Sequence, residues 1–364
     1  MLNKKFSLIF ISIFILCSSC SFDSKTGIWS GDEKEKKRID QLEEDRVKNI
    51  KKIYTTQDIS IEEVAATKDL NLSQPRKNSK WNTSNFNVQN NIGHVFLSGI
   101  DNNFLKKKIG KNKFSFSRII LSPIATKNFI ILTDDTGTIF NINKKGKIKW
   151  KKNIYKKIYK KIYKNLSISV HKGAIFISDN IGFIYSLELE TGKILWIKNH
   201  GIPLKSKIKI FDDKIFLVNS DNRIICIESK TGARVWDVRT VSSFIKTQSF
   251  LALAVSKNGE VFTINSSGEL LKLSSINGNI YWSINVTPSL FAHDKDFFES
   301  SDIVVDKEDI IFSTTKSIFS YDKNNRYENW KFDINSTGTP IIDGNNVFLV
   351  SRNGFFINID KNSG

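Results

Sequence analysis

Apolar and polar residues alternate through most of the chain after residue 120, in runs of about five residues separated by Gly-, Asp- and Asn-rich turns. Alternation with a period of two predicts half-buried β-strands, and turns of this composition predict hairpins between them. Residues 303–332 show the pattern most clearly. There it predicts four strands, at 303–305, 309–313, 317–321 and 328–332.

Tryptophan marks a long repeat in this pattern. The spacings between successive members are 46, 40, 46 and 48 residues, and the members are Trp150, Trp196, Trp236, Trp282 and Trp330. A glycine stands four positions before each of the first four, and Arg326 stands before the last. A period of 40 to 50 residues made of short strands is typical of a β-propeller, in which each repeat is one four-stranded blade. We therefore predict an all-β propeller over residues 81–364, with the tryptophans packed between blades.

The last repeat stops early. Residues 354–364 match the stretch between the two glycines of the other repeats, and a further Trp is expected near position 368. The sequence thus contains five full blades and an incomplete sixth, and predicts a ring of six to eight. Either the chain is truncated at residue 364, which we favour, or a strand from residues 81–117 completes the last blade and protects its edge.

The N-terminus predicts export and lipidation. Lys4 and Lys5 precede an apolar run that is too short to span a membrane, so residues 1–19 are interpreted as a signal peptide. Leu16-Cys17-Ser18-Ser19-Cys20 resembles a bacterial lipobox, although Cys17 stands where Leu is usual. Cys20 is the predicted lipid anchor, through acyl chains such as palmitate. Residues 20–80 are rich in charge and predict a partly helical tether.

Composition adds a strong positive charge. The formal net charge is +18, and the lysines are spread over every repeat. Export removes nucleic acid as a natural partner. Residues 154–164 form a tandem of Ile-Tyr-Lys-Lys units. They are interpreted either as a loop expanded by repetition, which we favour, or as a surface that grips phosphates or lipid headgroups.

Candidate catalytic chemistry is sparse. The sequence has no nucleotide-binding loop, no zinc-protease helix and no nucleophile elbow. Its four histidines are scattered, and its paired acids occupy turns, where Asp is favoured for backbone reasons. Cys226 is predicted to be a buried free thiol. We therefore expect no catalytic residue, no metal site and no cofactor.

Two families of propeller proteins resemble this chain. Leu189-Glu-Thr-Gly-Lys-Ile-Leu-Trp196 resembles the blade-docking motif of quinoprotein dehydrogenases, which hold pyrroloquinoline quinone. Their cofactor site also needs a calcium cage and commonly a disulfide between adjacent cysteines, and this sequence has neither an acidic cluster nor such a pair. The layout of lipobox, polar tether, Trp81 and successive Gly-x-x-x-Trp blades is similar to the BamB family of outer-membrane assembly lipoproteins, whose intact propeller has eight blades.

The BamB resemblance implies sites in two loops. In that family, neighbouring inter-blade loops contact the barrel-assembling partner, one through a Leu-Arg element and the other through an acidic pair. The corresponding loops here are 241–250 and 288–301, in which Ile245 and Lys246 replace the Leu-Arg element and Glu299 matches the second acid. Phe244 and Phe298 add aromatic residues outside clear strands. They predict either a protein interface or packing back onto the blade ends.

The resemblance implies a function. It predicts a non-enzymatic scaffold lipoprotein of the outer membrane, facing the periplasm, that binds the periplasmic domains of a barrel-assembling protein and unfolded outer-membrane protein clients. The alternative is a periplasmic quinoprotein-like or other ligand-binding propeller.

Overall fold

The computed structural model describes residues 37, 38, 40–42 and 44, and then 70–78, 81–98, 105–111, 113, 123–240, 249–286 and 298–364. The chain divides into two units, Met1–Asp69 and Leu70–Gly364. In the first unit, the described residues between 37 and 44 are helical. The sequence predicts that the propeller starts at residue 81, whereas the second unit already starts at Leu70.

The second unit consists of successive antiparallel sheets. Its described residues form five four-stranded sheets and one three-stranded sheet, which we number 1 to 6 in chain order, and a two-stranded parallel sheet. Within each numbered sheet the strands are hydrogen-bonded in sequence order. The prediction of an all-β fold made of four-stranded blades is confirmed.

The strands have the following bounds. The parallel sheet and sheets 1 to 3 comprise β1 (Arg76–Lys77), β2 (Val95–Phe96), β3 (Ile124–Ala125), β4 (Phe129–Thr133), β5 (Thr138–Asn143), β6 (Ile148–Asn153), β7 (Leu166–His171), β8 (Ala174–Asp179), β9 (Phe183–Glu188), β10 (Ile194–Asn199), β11 (Lys209–Phe211), β12 (Lys214–Val218), β13 (Arg223–Glu228) and β14 (Arg234–Arg239). Sheets 4 to 6 comprise β15 (Leu253–Val255), β16 (Glu260–Ile264), β17 (Glu269–Ser274), β18 (Ile280–Asn285), β19 (Val304–Val305), β20 (Asp309–Ser313), β21 (Ile318–Asp322), β22 (Glu328–Phe332), β23 (Ile341–Asp343), β24 (Asn346–Val350) and β25 (Phe356–Asp360). One 3₁₀ turn, Lys157–Tyr159, lies between β6 and β7.

The first strands of sheets 1 to 5 lie toward the centre of the unit. Strand β7 contacts β3 and β11, and β15 contacts β11 and β19, so the first strands of sheets 1 to 5 are neighbours in series. The fourth strands are more exposed, and in β14 and β18 a Trp is the one buried residue. This radial arrangement of blades is that of a propeller.

The hydrophobic core lies between the sheets. Each successive pair of sheets shares one cluster of buried apolar side chains. In β12, Ile215 and Leu217 pack in the cluster shared with sheet 2, whereas Phe216 and Val218 pack in the cluster shared with sheet 4. Because alternate side chains of a strand point to opposite faces, each inner strand supplies apolar groups to both neighbours.

The predicted strands of residues 303–332 lie within one residue of β19, β20, β21 and β22. Local turn chemistry explains this agreement. In the β21–β22 turn, the Asp322 carboxylate accepts the backbone N–H groups of Asn324 and Asn325 at 2.8 and 2.6 Å. Arg326 follows with a φ of 60°. Such Asp-centred turns are specified by neighbouring residues alone.

Candidate functional site

The centre of the propeller is occupied by the protein's own chain. Residues 81–91, which we call the axial segment, contact the first strands of sheets 1 to 5 in turn. Trp81 pairs with Ala125 of β3, and Asn82 accepts the N–H of Val170 in β7 at 2.7 Å. The Thr83 hydroxyl donates to the carbonyl of Ile208, which directly precedes β11, at 3.3 Å.

The later half of the axial segment bonds to sheets 4 and 5. The carbonyl of Val88 accepts the N–H of Val255 at 2.9 Å, and that of Gln89 accepts the N–H of Val305 at 2.9 Å. Val255 and Val305 belong to first strands, whose inner edges would otherwise present unpaired backbone groups. The axial segment therefore completes the hydrogen bonding at the inner wall of the propeller.

A polar cluster holds the middle of the axial segment. The buried Asn90 amide donates to the carbonyls of two first-strand neighbours, Leu253 at 3.0 Å and Ile303 at 2.7 Å, and so links sheets 4 and 5. Its φ of 59° lies in the left-handed region, which Asn tolerates better than most residues. Asp302 is the acceptor for two further groups of this cluster. Lys207 forms an ion pair with it at 2.6 Å, and the Asn85 amide also donates to it.

Lys209 is the most deeply buried charged group of this cluster. Its side chain is fully buried, and its Nζ donates to the carbonyls of Ser84 at 3.4 Å and Asn87 at 3.2 Å, and to the Asn90 amide oxygen. Burial lowers the pKa of Lys209 to about 7, against the opposing attraction of Asp302. The axial segment thus rests on a lysine that titrates near neutral pH.

These residues do not fit a quinone or metal cofactor. A ligand at the centre of the propeller would have to displace the axial segment and the hydrogen bonds just described. In the described part of the chain, no three His, Cys, Asp or Glu side chains are grouped closely enough to hold a metal ion. The centre can supply structural hydrogen bonding, and binding surfaces must be sought at the loops and rims.

The repeating tryptophans lie between sheets. Four of the five donate their indole N–H to a backbone carbonyl of the next sheet, at distances of 2.7–3.2 Å. The pairs are Trp150 with Leu189, Trp196 with Ser229, Trp236 with Ser275 and Trp330 with Lys361. Each of these four indoles also lies close to a glycine of the next sheet. A Cβ at Gly192, Gly232 or Gly278 would lie 2.8 Å from the indole it faces. These glycines supply both the left-handed φ and the space for the ring.

Trp282 departs from this arrangement. Its buried indole N–H has no hydrogen-bond partner. In the next sheet, Lys323 occupies the position that Ser229 and Ser275 hold in the other repeats. Its carbonyl accepts the ammonium of Lys272 at 3.2 Å instead of the indole. The departure coincides with Arg326, which has a Cβ where the other turns have glycine. A Cβ at that point leaves no room for the indole to approach as closely.

The predicted partner-binding residues are described only in part. The side chain of Glu299 is 43% exposed, accepts the Ser249 hydroxyl at 2.9 Å and lies 3.5 Å from the Arg352 guanidinium. It therefore links the loops that precede sheets 4 and 5 to the last turn of sheet 6. Phe298 packs against the core shared by sheets 4 and 5. This is the second of the two arrangements predicted for the phenylalanines, in which they pack back onto the blade ends. Phe244, Ile245, Lys246 and Cys20 lie outside the described residues.

Sequence reasoning did not find the axial segment. One of the two alternatives predicted from the sequence was that a strand from residues 81–117 completes the last blade. Within 81–98, the residues that pair do so with first strands and with β1. Residues 99–104, 112 and 114–117 lie outside the described residues. One signal was present, since five of the ten residues in 82–91 are Asn. Asn both donates and accepts hydrogen bonds and tolerates left-handed φ, so an Asn-rich segment suits an irregular path along strand edges.

Comparison with known proteins decides the family. A family model described as outer membrane protein assembly factor BamB matches residues 135–364. The chain belongs to this family. BamB of Moraxella catarrhalis shares the fold, with a TM-score of 0.58 at 15% identity over 68% of this chain and 75% of that one.

Sequence relatives of this BamB-family chain match over shorter stretches. It spans less than half the length of the curated relatives it matches, such as 44% of an uncharacterized protein of Rickettsia conorii, 25% identical over 51% of this chain. BamB of Moranella endobia is 22% identical over 34% of this chain and 33% of its own length. Quinoprotein ethanol dehydrogenase of Pseudomonas putida is 26% identical over 27% of this chain and 18% of its own length. In the described residues, nothing helical has the length and apolar character of a membrane span.

Proposed function

We propose that this protein is a non-enzymatic scaffold of outer-membrane β-barrel assembly. It is a lipoprotein anchored through Cys20 to the outer membrane and facing the periplasm. Its propeller binds the periplasmic domains of a barrel-assembling protein and holds that protein close to unfolded outer-membrane clients. Membership of the BamB family supports the general role.

The occupied centre of the propeller is the observation that carries this proposal. Because residues 81–91 fill the place where a propeller would hold a small ligand, the surfaces left for binding are the inter-blade loops. The loops 241–250 and 288–301 precede neighbouring sheets, 4 and 5, so they belong to adjacent blades. Glu299 at the end of the second loop is held in place by Ser249 and Arg352 and still presents part of its carboxylate to solvent.

Site-specific crosslinking tests the partner. A photo-crosslinking amino acid introduced at Ile245 or Glu299 is expected to capture the barrel-assembling protein in intact cells, identified by mass spectrometry of the purified adduct. The matched controls are Ile197, exposed on the outer strand β10, and Glu190, exposed in the turn before it. We expect no such adduct from either. Absence of the adduct at both loop positions, or equal capture at the controls, would contradict the proposal.

The quinoprotein alternative has one observation in its favour, the sequence similarity to quinoprotein ethanol dehydrogenase over 27% of the chain. Titration of the purified protein with pyrroloquinoline quinone and calcium is expected to leave the absorbance spectrum of the quinone and the melting temperature of the protein unchanged. A saturable spectral shift would favour the quinoprotein instead. A variant with Asn90→Ala serves as the comparison, because it removes two hydrogen bonds that hold the axial segment. It is also expected not to bind the quinone, and quinone binding by this variant alone would show that the axial segment covers a quinone site.

A further inference from the structure

The tandem of residues 154–164, which we call the lysine loop, is held in a defined conformation. Tyr155 is 5% exposed and donates its hydroxyl to the Asp179 carboxylate at 2.7 Å. Tyr159 packs edge-on against Phe183 with ring centroids 5.5 Å apart. Lys164 is fully buried, and its ammonium lies 4.7 Å from the centre of the Tyr155 ring. An expanded repeat without a structural role would not need these anchors.

Most of the other residues of the lysine loop are exposed. Ile158 is 75% exposed, Ile162 44% and Tyr163 43%. Four exposed lysines surround them, namely Lys156, Lys157, Lys160 and Lys161. None of these four forms an ion pair with a described residue. The loop therefore divides into an inner side, where Tyr155, Tyr159 and Lys164 fix it, and an outer face of two isoleucines, one tyrosine and four lysines.

The surroundings of the lysine loop increase its positive charge. Residues 136–178 contain twelve lysines and neither Asp nor Glu. Asp179, the nearest acid after this stretch, is buried, and one of its oxygens accepts the backbone N–H groups of Ile181, Gly182 and Phe183 while the other accepts Tyr155. Its charge is thus turned inward, and within the described residues it does not pair with any of the four outer lysines.

We propose that the lysine loop binds the surface of a membrane that contains anionic phospholipid. The lysines contact headgroup phosphates, and Ile158 and Ile162 enter the boundary between headgroups and acyl chains. A protein partner fits the patch less well. Interfaces between proteins are enriched in Arg and depleted in Lys, and residues 119–222 contain no Arg. A headgroup phosphate can be contacted by a compact charge on a flexible side chain, and the lysine ammonium is such a charge. This inference does not rest on the proposed role in barrel assembly.

Binding to lipid vesicles tests this inference. The full chain, carrying Cys20→Ser so that N-terminal lipid contributes nothing, is sedimented with vesicles of phosphatidylcholine alone or mixed with phosphatidylglycerol. We expect binding that requires phosphatidylglycerol and weakens in high salt. Replacing the four outer lysines with glutamine should weaken it by up to about 600-fold, since each of the four lysines near an anionic surface contributes about five-fold. Ile158→Ser should weaken it several-fold by removing the inserted side chain.

A charge-matched variant gives the control. It replaces four exposed lysines outside the loop with glutamine, namely Lys193, Lys230, Lys257 and Lys307. Circular dichroism establishes that both quadruple variants are folded. The control variant is expected to retain most of the binding. Equal loss in the two variants, binding that does not depend on phosphatidylglycerol, or no effect of the loop substitutions would each overturn the inference.

Discussion

Replacing Trp236 with alanine is expected to lower the free energy of unfolding by about 3–5 kcal/mol. The indole is 9% exposed, lies 5.9 Å from the Phe216 ring and donates to the carbonyl of Ser275 at 3.2 Å. Its removal leaves a cavity between sheets 3 and 4 and an acceptor without its donor. Chemical denaturation followed by circular dichroism measures the loss. A loss below about 1 kcal/mol would show that the tryptophans do not hold the blades together.

Trp282→Ala provides the matched comparison. Trp282 is equally buried, between sheets 4 and 5, but its indole N–H has no partner. The substitution therefore removes packing without removing a hydrogen bond. We expect a loss about 1 kcal/mol smaller than for Trp236→Ala, which is the usual contribution of one hydrogen bond. A larger loss at Trp282 would contradict the role assigned to the indole hydrogen bonds.

Stability is expected to rise with pH between about 7 and 9, by up to about 1.4 kcal/mol per pH unit. The pKa of Lys209 is lowered by burial to about 7 in the folded protein and has its ordinary value of 10.5 when unfolded. Between these values the unfolded chain holds more protons than the folded protein, so raising the pH favours folding. Below pH 7 the ammonium is charged in both states, and this gain is lost. Denaturation midpoints measured at successive pH values test the slope.

Lys209→Met should remove most of this slope, because no titrating group then remains at that point in the cluster. Lys257→Met, which changes an exposed lysine, should leave it intact. The window ends near pH 9, where the Cys226 thiol begins to act in the opposite direction. Burial raises the pKa of Cys226 from 9.0 to about 12, so ionisation of the unfolded chain favours unfolding above pH 9. An equal slope in both lysine variants would exclude Lys209 as its source.

Much of the blade structure follows from local sequence. The four strands of sheet 5 were predicted within one residue because alternation and turn residues are read over a few positions. The glycines before the tryptophans predicted tight turns, and Gly232 and Gly278 do adopt φ values of 68° and 77°. The sequence also distinguished the turn with Arg326. It did not show that this residue would coincide with the one indole among the five repeating tryptophans that lacks a partner.

The candidate site was less predictable. Glu299, assigned from the BamB resemblance, lies at the surface. Phe298, singled out as an aromatic residue outside clear strands, packs inward, and the sequence left both outcomes open for the phenylalanines. Whether such a side chain is exposed or packs inward depends on whether a neighbouring sheet places an apolar surface within its reach. That surface belongs to residues far along the chain, so neither composition nor spacing reveals it.

The sequence by itself determined the all-β class, the repeat length, the position of each blade and the turns between strands, because these depend on contacts between residues close in the chain. Only the tertiary structure decided that residues 81–91 occupy the centre, since their partners in the sheets are 44 to 217 positions away, from Ala125 to Asp306. It also decided which half of the lysine loop is buried, because Asp179 and Phe183 reach that loop only when sheet 2 has formed.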